Sequence, residues 1–450
     1  MSALPDGTPV PVLCAVRGPA EASVATTLAA DPGTVVVRRC ADVAELLAAA
    51  AAGLGAVAVV SGDLTGLDRA AVAALHETGA RVVVLHDDVA HEEQRVRALG
   101  PDRLLALAVA LADGTTLAST VRDALRDPAR PETGALPQLD DAPVVRRSGS
   151  VVAVWGPTGA PGRSTVAVNL AAELAGAGRR AGRRRGAPPG PDVEVLLADA
   201  DTYGGVVAQL LGMLDESVGL AAASRAAAQG VLDAVALARL SPYVLARLRV
   251  LTGITRPARW VELPSSSLDV VWERAREVAD VTVVDCGFSL EHDELLTYDT
   301  RAPQRNAATL SALAAADVVV VVGGADPVGI QRLVRALGDL DDAGVLAPRV
   351  VVANRVRGRA SGSRPAQAVG DVLARYAGVD APVLLPDDPA ACDRAVLEGR
   401  VIAECAPSSP LRSALTTLTG VVRGLLPAPA AETAEPVGGP VRREALERAH

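Results

Sequence analysis

The most informative part of the chain is the stretch Gly156-Pro157-Thr158-Gly159-Ala160-Pro161-Gly162-Arg163-Ser164-Thr165. It follows the apolar run 151–155 and precedes a helical pattern over 166–175. A small-residue loop between a strand and a helix exposes backbone N–H groups and the positive end of the helix dipole. The stretch therefore predicts an anion site. Its layout, which ends in a basic residue followed by Ser-Thr, is that of a phosphate-binding P-loop, with Arg163 in the place of the usual lysine.

The composition explains why an arginine stands where a P-loop has lysine. The chain has 450 residues, 50% of them hydrophobic and 2% aromatic, and all 44 of its basic residues are arginine. A chain without lysine carries arginine at every basic position, so Arg163 need not be a specific choice. The net charge of −9 argues against a general coat for nucleic acid.

The chain gives few signs of export or membrane insertion. Its five cysteines are scattered without a C-x-x-C pair, which predicts neither a disulfide framework nor a zinc site. No basic segment leads into an apolar core near residue 1, and the longest apolar runs are too short or too rich in Ala and Gly to cross a bilayer. We expect a cytoplasmic protein.

Two α/β units are predicted, with a linker between them. Residues 1–126 alternate strands (12–16, 34–38, 56–60 and 81–85) with helical stretches (21–29, 43–52 and 69–77), which predicts a parallel sheet with helices on both faces. Residues 127–150 carry four prolines and form the predicted linker. The predicted strands of the second unit, 151–426, are 151–155, 193–198, 248–252, 281–285, 318–322, 350–353 and 383–385. The Pro/Ala/Glu-rich tail 427–450 is predicted to be disordered apart from a short helix near 442–448.

Two further segments leave alternatives open. The stretch 411–426 is either a final helix that packs on the sheet, which is favoured because it carries only two arginines, or an amphipathic membrane helix. The arginine cluster 179–185 is either a solvated insertion or a contact for DNA, anionic lipid or an acidic partner.

The loop has acidic partners in the order that a nucleotide-hydrolysing site requires. Ser164 offers a hydroxyl ligand for Mg²⁺. Asp285 ends the apolar run 281–284, and Asp199 and Asp201 follow the run 195–197. Acids at the carboxyl ends of parallel strands lie where open α/β sheets bind ligands. Each acid alone could simply cap a helix, but the ordered set favours a site.

From about 150 to 426 the chain resembles the MinD/ParA family of deviant Walker-A ATPases, in particular its CpaE/TadZ-like branch and the actinobacterial septum site-determining (Ssd-like) proteins. The N-terminal unit resembles the receiver-like, flavodoxin-type domain of that branch. The matching segments are 159–171, 199–205, 285–288, 305–309, 316–321, 352–355 and 385–388.

The resemblance implies ATP and Mg²⁺ as cofactors and assigns roles to individual residues. Arg163 would contact the β- and γ-phosphates, and Asp201 would orient the hydrolytic water. Ser164, Asp199 and Asp285 would form the metal site. Nucleotide binding would involve Gly159, Ala160, Pro161, Gly162, Arg163, Ser164 and Thr165, with Asn354 and Pro386 at the adenine.

The loop departs from the family pattern at three positions. Thr158 stands where the family has a lysine that reaches across an ATP-bound dimer, and Pro157 stands where a glycine is usual. Pro161 has no N–H to offer a phosphate. The planar guanidinium of Arg163 also needs a differently shaped slot from a lysine ammonium. We therefore expect weaker nucleotide binding than in the family, with slow hydrolysis.

The receiver-like unit lacks the acids of an active receiver. The segment 16–18, Val-Arg-Gly, occupies the place of the acidic pair, and Asp63 stands near the phosphorylation position without clustered acids to hold Mg²⁺. We expect a pseudo-receiver that serves localisation or dimerisation.

Two functions remain open. One is an ATP-driven spatial switch for septum-site determination or pilus assembly, which acts as a homodimer, contacts division or secretion proteins, and is recruited to the inner face of the membrane, a pole or the septum. The other is a nucleotide-insensitive scaffold for the same machinery. DNA partitioning is a weaker alternative that depends on the cluster 179–185.

Overall fold

The computed structural model describes residues 8–87, 89–126, 149–178, 193–213, 218–291, 303–358 and 364–427. The arginine cluster 179–185, most of the predicted linker and the predicted tail beyond residue 427 lie outside these ranges. The described strands form two sheets, one of five strands and one of eight.

The first sheet is entirely parallel, with the strand order β2-β1-β3-β4-β5. Its strands are β1 Val10–Ala15, β2 Thr34–Arg39, β3 Val57–Ser61, β4 Arg81–His86 and β5 Arg103–Ala106. The helices between and after them are α1 Ala20–Ala30, α2 Val43–Ala51, α3 Arg69–Glu77, α4 Ala90–Ala98, α5 Leu107–Ala112 and α6 Gly114–Arg126. Side chains alternate between two buried clusters: Leu13 and Ala15 belong to one, Val12 and Cys14 to the other. Both faces of the sheet are therefore covered.

The second sheet has the order β13-β12-β11-β6-β10-β7-β9-β8, and only the β8–β9 pair is antiparallel. Its strands are β6 Ser150–Trp155, β7 Val195–Ala200, β8 Tyr243–Leu245, β9 Leu248–Leu251, β10 Val281–Cys286, β11 Val318–Gly324, β12 Arg349–Val356 and β13 Val383–Pro386. The mostly parallel α/β fold that the sequence predicts is confirmed.

Helices cover both faces of this sheet. They are α7 Arg163–Leu174, α8 Val207–Leu210, α9 Gly219–Ala228, α10 Ala234–Leu240, α11 Ser265–Val278, α12 Ala307–Ala315, α13 Pro327–Asp342, α14 Pro365–Ala377, α15 Pro389–Glu398, α16 Ile402–Cys405 and α17 Pro410–Leu425, with a 3₁₀ turn over Pro257–Glu262. The central strands are buried on both faces, which explains their unbroken runs of valine.

The last helix, α17, packs on the sheet. Leu411, Leu415, Leu418 and Val422 recur at helical spacing and are buried in the cluster that includes α7. Arg412 Nε lies 3.0 Å from Oε1 of Glu173, a buried residue near the end of α7, and the two side chains form an ion pair. The structure thus favours the packed helix over the membrane alternative. No helix in the described ranges is both long enough and apolar enough to cross a membrane.

Candidate functional site

The loop lies between β6 and α7, at the carboxyl edge of the larger sheet. Gly162 takes a left-handed conformation, with φ 81° and ψ 21°, directly before the first turn of α7. No side chain caps this helix end. Its first N–H groups therefore have no intrahelical partner, and the helix dipole adds positive potential at the same point. The local geometry suits an anion.

Neighbouring strands hold the loop tightly. A Cβ built on Gly156 would lie 2.1 Å from the carbonyl oxygen of Val322 on β11, so only glycine fits there. At the other end of the loop, Asn354 Nδ2 on β12 donates a 2.9 Å hydrogen bond to the Pro161 carbonyl. The same Nδ2 would lie 2.5 Å from a Cβ at Gly162. Asn354 thus braces the loop, and its Oδ1 already accepts a bond from the Arg355 N–H.

Arg163 folds back over its own loop. Its Nη1 donates to the carbonyls of Gly156 and Pro157 at 3.2 and 3.5 Å. Its Nη2 lies 3.5 Å from Oδ2 of Asp201, and both side chains are largely buried. Nε is buried and has no hydrogen-bond partner. In this structure the positive charge of the loop is therefore directed at a carboxylate and two carbonyls.

Asp285 is the least satisfied polar group of the site. It is the next-to-last residue of β10 and is fully buried, and neither carboxylate oxygen has a partner in hydrogen-bond geometry. Burial, followed by the neighbouring charge of Asp199, raises the pKa of Asp285 well above its ordinary value, although the nearby Ser164 side chain lowers it. A buried carboxyl without a partner costs free energy, so its presence suggests that something binds there.

Asp199 lies beside Asp285, because β7 and β10 pair with these two residues in register. Its oxygens accept hydrogen bonds from the N–H groups of Asp201 and Val207, at 3.2 and 3.1 Å. Burial, with a smaller contribution from the charge of Asp201, raises the pKa of Asp199 to about 7, although those two hydrogen bonds oppose the rise. The Asp199 carboxylate thus holds the backbone of residues 201–207 through these two hydrogen bonds.

Asp201 shapes the next turn and faces the loop. Its Oδ1 accepts hydrogen bonds from the N–H groups of Tyr203 and Gly204 at 2.8 and 3.3 Å, which leaves Oδ2 towards Arg163. This Asx turn fixes the Asp201 side chain beside the loop.

The three acids do not make a closed metal cage. Among the described residues, no group of three His, Cys, Asp or Glu side chains is placed to hold a metal ion. Mg²⁺ in phosphate sites uses one or two carboxylates with phosphate oxygens and water, so Ser164 and the free oxygens of Asp285 fit that ion. Asp199, with both oxygens engaged, fits less directly.

A pocket opens beside the end of the loop. It has a volume of about 330 Å³ and is lined by Gly162, Thr165, Asn354, Arg355, Pro386 and Asp387, among others. Arg355 has φ 59°, which is rare for a residue other than glycine and is found at functional sites. The volume falls in the range of small-molecule sites. The structure thus brings the two residues predicted at the adenine, Asn354 and Pro386, to one pocket next to the loop.

A group of aromatic and polar side chains behind the acids was not predicted from the sequence. The Tyr203 hydroxyl donates a 2.8 Å hydrogen bond to Asn306 Oδ1. The centroid of the Tyr203 ring lies 4.6 Å from that of Phe288 and 4.3 Å from Cζ of Arg305. The Trp155 indole N–H donates to the Phe288 carbonyl at 3.2 Å. Scarce aromatic residues that follow two predicted strands were the signal that could have found it.

Comparisons with known proteins give only remote likenesses. No protein-family model matches the chain, and no curated protein does. Among solved structures, a ParA family ATPase from Chlorobium tepidum is 19% identical and aligns over 61% of this chain and 98% of its own, with a TM-score of 0.49. The cell division ATPase MinD of Pyrococcus furiosus is 21% identical over 62% of this chain and 100% of its own, at 0.46. The septum site-determining protein MinD of Pyrococcus horikoshii, complexed with Mg-ADP, is 19% identical over 62% and 97%, also at 0.46. At this level they assign no function to the chain.

Proposed function

We propose that the chain is a MinD/ParA-like protein that binds Mg·ATP at the loop 156–165 and hydrolyses it slowly. The observation that carries the proposal is the buried, unpartnered Asp285 beside Ser164, under an uncapped helix N-terminus. An anion at the helix end and a cation between Ser164 and Asp285 would satisfy both groups. Mg·ATP supplies that combination.

In this proposal each residue of the site has a separate role. The first turn of α7 binds phosphate oxygens, and Arg163 turns from Asp201 to add a charge-assisted hydrogen bond. Ser164 and Asp285 hold the metal, whose charge neutralises the phosphates when it is bound. Asp201, released from Arg163, orients a water molecule. The pocket at Asn354 and Pro386 takes the base.

Binding should be weaker than at an ordinary P-loop. Pro161 has no N–H, and its carbonyl is tied to Asn354. Arg163 must also break its contacts with Asp201 and two carbonyls before it reaches a phosphate. Both costs lower the affinity for nucleotide. We therefore propose an ATPase that binds ATP weakly and hydrolyses it slowly.

Calorimetry with Mg·ATP tests the proposal. We expect saturable binding that depends on Mg²⁺ and weakens by about tenfold or more in Ser164→Ala, since a hydrogen bond or metal contact to a charged group is lost. Ser413→Ala, on the exposed side of α17, is the matched control and should bind as the wild type does. Absence of heat with Mg·ATP up to millimolar concentration would refute nucleotide binding.

The scaffold alternative is favoured by one observation. The guanidinium of Arg163 donates to two carbonyls of its own loop and pairs with Asp201, so its charge is already engaged by protein groups. In a scaffold the site would stay in this state, and protein surfaces alone would recruit division or secretion machinery. Calorimetry that shows no nucleotide binding would favour this alternative.

We propose that residues 1–126 form a pseudo-receiver, joined by the linker 127–150 to the ATPase domain 151–426, with a tail at 427–450. The strand order β2-β1-β3-β4-β5 supports this, because flavodoxin-type domains share it. Arg17 lies where a receiver would place acids, and its Nη1 donates to the Asp63 carbonyl at 3.4 Å. The proposed role is that of a CpaE- or Ssd-like switch in septum placement or pilus assembly, at the inner face of the membrane, the pole or the septum.

A further inference from the structure

Arg332 on α13 lies over the first half of the loop. Its Nη1 donates a hydrogen bond to the Thr158 carbonyl at 3.3 Å. A Cβ built on Gly159 would lie 2.1 Å from that nitrogen and 3.3 Å from Cζ. The guanidinium therefore rests directly on the face of Gly159, where any side chain would displace it.

The position of Arg332 is fixed by the fold. Strand β11 pairs with β6, and its end packs on the loop, since a Cβ at Gly324 would lie 3.5 Å from Cδ of Pro161. Asp326 then starts α13 by accepting bonds from the N–H groups of Val328 and Gly329, both at 3.1 Å. Arg332 is thus carried to the loop by a well-capped helix.

The positive charge of Arg332 is not paired with a carboxylate in the described part of the chain. Arg163 is paired with Asp201, whereas Arg332 is exposed and, within the described ranges, forms no ion pair with any carboxylate. A guanidinium that lies beside backbone amides with only one neutral partner is suited to a phosphate, to which it can donate two parallel bonds.

The geometry also indicates which phosphate Arg332 would meet. The pocket proposed for the base includes Gly162 and Thr165 at the end of the loop, and residues 156–159 do not line it. A phosphate chain that enters from this pocket crosses the N-terminus of α7 first and reaches Thr158 and Gly159 last. On this path Arg332 would lie beside the terminal phosphate of a triphosphate.

We propose that Arg332 is a phosphate-binding residue that acts within its own chain and distinguishes nucleoside triphosphates from diphosphates. The proposal rests on the proposed function, because it requires a nucleotide in the loop. It gives the site a second cation from a helix that begins more than 160 residues after Arg163 in the sequence.

Binding of Mg·ATP and of Mg·ADP to the full chain, measured by calorimetry for wild type and variants, tests this role. Arg332→Gln should weaken Mg·ATP by about tenfold or more, as expected for loss of a charge-assisted bond, and change Mg·ADP less than about twofold. Arg332→Lys keeps the charge and should retain more of the preference for ATP. Arg335→Gln, exposed on the same helix, is the matched control and should leave both affinities unchanged.

The outcomes separate this inference from the proposed function. If wild type binds Mg·ATP and Arg332→Gln binds it equally well, or loses ATP and ADP to the same extent, the role of Arg332 is refuted and the proposed function stands. If wild type binds neither nucleotide, both are refuted. Melting curves without nucleotide should coincide for wild type and Arg332→Gln, since the side chain is exposed.

Discussion

At the scale of single residues, Asp285 combines a structural cost with a proposed use. Its carboxylate is fully buried and unpartnered, and its pKa is raised chiefly by that burial. Buried groups of this kind persist where function requires them, and their replacement commonly stabilises the free protein. The residue therefore allows stability and ligand binding to be separated.

Asp285→Asn should make the ligand-free protein more stable. The neutral amide keeps the shape of the side chain. It also removes the cost of burying a carboxyl whose pKa is raised, which folding otherwise meets at pH 7 either as a buried charge or by taking up a proton, so we expect the free energy of unfolding to rise by about 1–3 kcal/mol. Urea unfolding of both proteins without nucleotide measures this. Asp342→Asn, an exposed residue at the end of α13, is the control and should change stability by less than about 0.5 kcal/mol. A loss of stability in Asp285→Asn would mean that the carboxylate is satisfied in solution.

What the sequence could predict at this scale depends on where the partners of each residue lie. Asp285 and Asp199 follow apolar runs, so their place at the sheet edge was predictable, and their register follows from the β7–β10 pairing. The fold-back of Arg163 was not predictable, because it depends on Asp201, which lies in the segment after another strand, β7. Arg332 gave no signal, since it reaches the loop only through the packing of β11 against β6.

At the scale of elements, the buried strands were predictable because long valine runs are typical of central parallel strands. The strands that were missed are short and lie at sheet edges: β5 has four residues, all half-buried, and β8 has three, of which Tyr243 is exposed. Helix α7 begins at Arg163, three residues before the predicted pattern, since Gly162 takes the turn that starts it. Periodicity alone does not detect such a start.

The first sheet contains a buried carboxylate that joins two of its elements. Asp102, which precedes β5, contacts His76 of α3 at 2.8 Å, Arg81 of β4 at 3.2 Å and the Val82 N–H at 2.7 Å. Burial raises the pKa of Asp102, but the hydrogen bonds from His76 and Val82 and the nearby positive charges outweigh it, so the pKa is lowered overall. Asp102 is thus satisfied, in contrast to Asp285.

Asp102→Asn should destabilise the protein in a pH-dependent way. A carboxyl whose pKa is lower in the folded state stabilises that state above its unfolded pKa, and this stabilisation is lost as the pH falls through the folded value. We expect a loss of about 2 kcal/mol at pH 7, which shrinks as the pH falls below about 4. Urea unfolding across pH 3–7 measures it, with Asp87→Asn as the control. A pH-independent difference would mean that shape, not charge, makes the contribution.

At the scale of the whole molecule, the question is whether nucleotide changes the state of the chain. The ion pair between Arg163 and Asp201 competes with a phosphate for the guanidinium, so it opposes nucleotide binding. A switch must break this pair when it binds Mg·ATP, and a scaffold never does. The pair is therefore the point at which the two functions predict different behaviour.

Asp201→Ala should hold the proposed switch in its ATP-bound state. Loss of the ion pair frees Arg163 for phosphate, so Mg·ATP should bind of the order of fivefold more tightly, while hydrolysis slows because the water loses its orienting group. Sedimentation velocity should then show a dimer that persists with Mg·ATP, whereas the wild-type dimer decays as ATP is consumed. Asp201→Asn is the matched variant, since its amide oxygen can still accept the bonds from Tyr203 and Gly204. If both variants remain identical to wild type with and without Mg·ATP, the switch is refuted, because a scaffold alone is indifferent to this pair.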